Sequence, residues 1–143
     1  MRLGWLASLP LGVAALASSA PTHAATLEIV VENVRDAAGH VLAAVCTEAD
    51  FLSSHCAWGG RAVAHPGVVI VQVKDVPPGT YAVQVFQDAN DNMKVDRSLF
   101  GIPEEGMGFS NDARFRFGPP RFAEAAIALP AAGARIVVRL RYF

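Results

Sequence analysis

Leu27, Ile29 and Val31 alternate with Glu28, Val30 and Glu32, and the run closes at Val34 before Asp36-Ala37-Ala38-Gly39. A period of two with β-branched residues is the pattern of a strand with one buried face. His40 to Thr47 resumes it, so these two runs read as a hairpin joined by a short loop. Val68 to Lys74 is a third run, broken by Pro77-Pro78-Gly79, because proline fixes φ and glycine admits the left-handed turn conformation. Thr80 to Gln87 alternates again. Past residue 88 the pattern stops for about thirty residues, a length uncommon in a compact domain unless the segment is functional or tied down. Phe122 to Leu129 reads as a strand or a short helix, since its alanines favour helix locally. Ala134 to Tyr142 is a clear strand.

About seven short strands with frequent turn signals and no long amphipathic helix predict an all-β fold, an antiparallel β-sandwich with one long irregular loop. An outer-membrane barrel is the rival. Most runs are shorter than the ~9–11 residues a membrane strand needs, and Arg139 and Arg141 share the face of Phe143 that would meet lipid.

The ends of the chain and its cysteines add location. Arg2, the apolar run Leu3 to Ala17, and the small residues from Ser18 to Ala24 read as a signal peptide cleaved after Ala24, with Thr22 and Ala24 at the recognition positions. The run is too short, and too interrupted by Pro10, for a membrane anchor. The expected organisation is therefore a signal peptide, 1–24, and a single sandwich domain, 25–143, placed in the periplasm or outside the cell. Cys46 and Cys56 are the only cysteines, and in an oxidising compartment an even pair reads as one disulfide. The chain's net charge of −1 falls by one more unit when Arg2 is removed, so nucleic acid and anionic membrane surfaces are excluded as partners.

The segment Asp88-Ala89-Asn90-Asp91-Asn92-Met93-Lys94-Val95-Asp96 carries the best candidate chemistry. Oxygen-bearing side chains at 88, 90, 92 and 96, with the Lys94 carbonyl as a further donor, are the ligand types Ca²⁺ takes, so calcium is the expected cofactor. The competing reading is a solvated acidic turn in which Asp and Asn make Asx-turns. No catalytic residues are expected. Ser53-Ser54-His55 lacks a nucleophile elbow, and adjacent Glu104 and Glu105 do not supply the ~5–10 Å opposed carboxylates of glycoside chemistry. His40 and His65 read as exposed loop residues, and Trp58, Phe109, Phe115, Phe117 and Phe122 as core in preference to a groove lining.

Val76-Pro77-Pro78-Gly79-Thr80-Tyr81-Ala82-Val83, the acidic loop, the block Gly101 to Asn111, Gly118-Pro119-Pro120-Arg121-Phe122 and Ala125-Ala126 together resemble the bacterial domain-of-unknown-function family 2141. The resemblance spans the mature chain and implies an exported sandwich, prealbumin-like or immunoglobulin-like. It implies no activity. Where the family places Gly after the third oxygen ligand, this chain has Met93, and the twelfth position of an EF-hand is here Leu99. The loop is therefore not an EF-hand, and a cation site closes only with Asp96 and a distant group: Glu104, Glu105 or Asp112. The leading functional expectation is a non-catalytic binding or accessory module meeting an envelope protein or glycan through 88–121. The alternatives are a metal-dependent envelope hydrolase and a structural unit of an envelope assembly.

Overall fold

A computed structural model of the chain describes residues 4, 7–17, 24–97, 99 and 103–143. The recognition position Thr22 and most of the small-residue run before Ala24 lie outside these, as do Gly101 and Ile102 of the family-like block. Residues 7–17 are exposed and form no regular secondary structure.

Eight strands are described: β1 (Ala25–Val34), β2 (His40–Cys46), β3 (Trp58–Val63), β4 (Gly67–Val76), β5 (Gly79–Asp88), β6 (Met107–Phe109), β7 (Ala126–Leu129) and β8 (Ala134–Arg139). They form two sheets. One is ordered β4-β1-β8; the other is β3-β2-β5-β6, with β7 also paired to β5. The sheets close on a valine-rich core that includes Leu27, Ile29 and Val31 of β1, Val41 and Val45 of β2, Val71 and Val73 of β4, and Val83 and Val85 of β5, all fully buried. Alternation in the sequence thus becomes alternation between core and solvent, as a face-to-face sandwich requires.

Two expectations about pairing are corrected. β1 and β2 are not a hairpin, because they lie in different sheets. Asn33 sits at φ 64° and the pairing of β1 with β4 shifts register between Val31 and Val34, so the strand end is turned out of its sheet before residues 35–39 cross over. Gln87 holds that crossover, its Nε2 donating to the Asp36 and Ala38 carbonyls and to Asp36 Oδ1. Gly39, at φ +67°, lies so close to the Asp88 backbone that a Cβ would overlap the Asp88 carbonyl. The sheets are also not wholly antiparallel, since β1 pairs with β8 in parallel. Glu28 faces Arg135 at 3.6 Å and Glu32 faces Arg139 at 3.7 Å along that pair, so opposite charges meet in the observed register.

Phe122–Leu129 adopts both of its expected forms in turn, a one-turn helix α1 (Phe122–Ala125) followed by β7. The long excursion contains β6 and a 3₁₀ turn (Ser110–Asp112). It folds back over the outer face of the larger sheet, where Met107, Phe109 and Ala125 form a second core with Phe51, Phe86, Phe115 and Phe122. Phe117, expected inside, is fully exposed.

Ser110 completes this layer. On one edge, β5 pairs with β7 through residues 79–82 and with β6 through 84–86, which leaves the Val83 N–H at the junction. The buried Ser110 hydroxyl accepts that N–H at 2.9 Å and donates to the Ala125 carbonyl. An unpaired buried N–H costs about 1–3 kcal/mol, so a small hydroxyl residue suits the position.

Candidate functional site

The acidic loop leaves the end of β5 and is organised around Asp88, which is fully buried. Its Oδ1 accepts the Asn92 N–H at 3.1 Å and its Oδ2 the Met93 N–H at 2.8 Å. Asn90 and Asn92 make Asx-turns, Asn90 Oδ1 accepting Asn92 N–H and Asn92 Oδ1 accepting Lys94 N–H. Their amide nitrogens donate to the two oxygens of Asp96, at 2.8 and 2.9 Å. Hydrogen bonds with Asn92 first, then Glu105, then Asn90 hold the Asp96 carboxyl below its ordinary range. Asp91 and Met93 both stand at positive φ, 53° and 62°, so Met93 occupies a left-handed position that glycine adopts more readily.

Asp88, Asn90, Asn92 and Asp96 are therefore brought together, as their spacing implies. Lys94 joins through its backbone N–H, which donates to Asn92 Oδ1, rather than through the carbonyl expected as a donor, and its side chain is exposed.

Of the three distant acids, Glu105 is the one whose side chain meets the loop, through a shared hydrogen bond with Asp96. Gln87 N–H donates to the Gly106 carbonyl, and Met107 exchanges backbone hydrogen bonds with Arg141, so the chain before β6 is clamped beside the start of the loop. Gly106 permits this approach, because a Cβ there would strike the Tyr142 ring. Glu105 is 9% exposed, and its Oε2 is buried without a hydrogen-bond partner. Burial first, then a shared hydrogen bond with Asp96 and the nearby charges of Asp96 and Asp88, push its carboxyl up to about 8. Glu104 is exposed and contributes only a backbone N–H to the Asp96 carbonyl. Asp112 faces elsewhere, bound to Arg141 at 2.7 Å and to Arg114 at 3.2 Å. Arg141 first, then Arg114, hold its carboxyl low against a smaller opposing effect of burial. Leu99 is exposed.

As the side chains stand, no three His, Cys, Asp or Glu among the described residues form a metal-holding group. Holding a cation requires the two asparagines to turn their oxygens inward.

The remaining candidates resolve simply. Cys46 and Cys56 form the expected disulfide. Ser53-Ser54-His55 lies on the loop that this bond closes, and Ser53 Oγ accepts the His55 backbone N–H. His65 is exposed, as expected. His40 is not an isolated loop residue. It opens β2 and its Nδ1 lies 2.7 Å from Asp91 Oδ1, tying the acidic loop to the neighbouring strand. Nothing local in the sequence announces that contact.

The residues from β1 into β8 match a family model. Its description is an uncharacterized protein conserved in bacteria (DUF2141), and the match covers residues 29–137. The chain belongs to this family. Its all-β sandwich and its Cys46–Cys56 disulfide are thus features of a DUF2141 chain. No curated protein and no solved structure matches the chain significantly. Among the described residues no helix is long and apolar enough to cross a membrane, which leaves strand-crossing proteins unaddressed.

Proposed function

We propose that this chain is an exported, non-catalytic binding module whose 88–105 loop takes a hard divalent cation, calcium. The observation that carries the cation is Glu105. A carboxyl oxygen buried without a partner, in a group that feels the charges of Asp96 and Asp88, is costly unless a proton or a cation accompanies it. Calcium supplies the missing charge, and its flexible coordination by six to eight oxygens suits a mixed set of carboxylate, amide and carbonyl donors. Magnesium demands a tighter octahedron, and a hydrolytic metal wants imidazole and an open position. The loop has no histidine, and the histidine that touches it, His40 on Asp91, lies outside the donor set.

Export is supported by Arg2, the apolar run to Ala17, the small residues to Ala24 and a disulfide, which belongs to oxidising compartments. A net negative chain of this kind is not built for nucleic acid.

The test is calorimetric titration with Ca²⁺ and with Mg²⁺, alongside melting curves of the wild type and Glu105→Gln. With Met93 in place of glycine the expected affinity is that of extracellular modules, about 10⁻⁴–10⁻³ M. Calcium at 100 times Kd then stabilises the fold by about 2.7 kcal/mol. Glu105→Gln is expected to abolish most of that shift. Asp88→Ala is a poorer probe, since it also removes the acceptors of two backbone N–H groups. No heat and no thermal shift at millimolar Ca²⁺ reduces the loop to an acidic turn.

A further inference from the structure

A groove of about 600 Å³ crosses the outer face of the larger sheet, bounded on one side by the disulfide loop and on the other by the acidic loop. Its floor follows from strand register. Leu42 of β2 faces Phe86 of β5 on one side and Arg61 of β3 on the other, and the next outward row is Gly59, Ala44 and Gln84. Leu42 and Phe86 are apolar where a solvent-facing sheet surface is ordinarily polar, and Arg61 ends the row with a positive charge. In the second row Gly59 and Ala44 carry almost no side chain, so the surface is hollow there.

Both walls are held in place. Gln84 accepts the Leu52 N–H and donates to the Ser53 carbonyl, which fixes the disulfide loop over the sheet. The opposite wall, Met93 to Val95, hangs from the Asp88 carboxylate through the Met93 N–H. Leu52 and Met93, 44% and 62% exposed, present apolar side chains across the opening.

The charge of the lining is one-sided. Arg61 and Lys94 line the groove, and among the described residues no carboxylate does, although the chain as a whole carries net negative charge. An apolar floor of small-molecule size with a cationic rim is complementary to an amphiphile with one anionic head. Nucleotides and sugars are poor fits, because they offer several polar groups to a floor that returns few. We infer that this groove binds a monoanionic amphiphile, an alkyl or aryl carboxylate, with its apolar body on Leu42, Phe86 and Met93 and its carboxylate at Arg61 and Lys94. This rests on the binding-module reading and gives it a ligand class; it does not depend on the cation.

The test is calorimetric titration of the purified protein with dodecanoate below its micelle concentration, in chelator, against a dodecyl chain with a neutral sugar head. Saturable one-site binding of dodecanoate is expected, at least 10-fold tighter than the neutral analogue. Arg61→Glu with Lys94→Glu is expected to weaken dodecanoate at least 10-fold while leaving the neutral analogue unchanged. Ala44→Leu, which fills the hollow, is expected to remove both without lowering the melting temperature. Should Ala44→Leu fail to fold, the charge-reversed variant alone carries the test. Absence of saturable binding overturns the inference, as does equal binding of the two amphiphiles that no variant alters. Because calcium is excluded, failure here with a calcium shift retained removes only the ligand class. Dodecanoate binding without any calcium response removes only the cation.

Discussion

Glu105 is the residue at which burial and charge conflict most openly. Its carboxyl is pushed up to about 8, chiefly by burial, whereas an unfolded chain leaves a glutamate near 4.5. Between those values the folded protein holds the proton more tightly than the unfolded one. Its contribution to stability is therefore fully present below about 4.5 and is lost as pH rises toward 8. In chelator, the wild type is expected to melt at progressively lower temperature from pH 5 to pH 9, and Glu105→Gln to flatten much of that slope. A wild-type slope unchanged by the substitution would assign the pH dependence to another group. Asp88, Asn90, Asn92 and Asp96 were legible as a group because their spacing is local and the loop is short. Glu105 was legible only as one of three acids, because what selects it is the pairing of Gln87 with Gly106 and of Met107 with Arg141. Those contacts join segments far apart in sequence.

At the level of elements, strands were easier to read than their partners. Alternating valines locate β1, β4 and β5 in the sequence, since burial of every second side chain leaves a mark on composition. The turn at 36–39 marks where the chain bends but not which sheet it enters next, so a crossover and a hairpin look alike. The parallel neighbour of β1 was equally hidden, as no local pattern records it. β6 was missed because three residues are too few to establish a period, and Gly108 interrupts them. The disulfide acts at this scale too. It ties the end of β2 to a loop that Gln84 otherwise holds by two hydrogen bonds. Replacing both cysteines by alanine is expected to cost about 2–3 kcal/mol in denaturant unfolding. A loss below about 1 kcal/mol would mean that Gln84 and the surrounding contacts suffice.

For the whole molecule, the parts on its outer face answer to one another. The sheet that closes the core on one side carries the groove on the other, and the same loop holds the candidate cation donors and one wall of that groove. The proposed export bears on all of this, because it would set both the redox conditions and the calcium supply. Amino-terminal sequencing of the protein from an envelope fraction is expected to begin at Ala25. A chain retaining Met1 in the cytosol would remove the export reading, and the disulfide would then need another oxidant.

The parallel pairing of β1 with β8 bears on when the fold can form. β1 is the middle strand of its sheet, yet the neighbour on one flank is not synthesised until residues 134–139. Until then β1 has a raw edge, with its hydrogen-bonding groups open to any passing strand. Closing that edge joins segments more than a hundred residues apart, the kind of contact that slows folding. Such a chain stays pliable while it is being made, and on the export reading proposed above a secretion channel that threads only unfolded polypeptide would meet it before it has set.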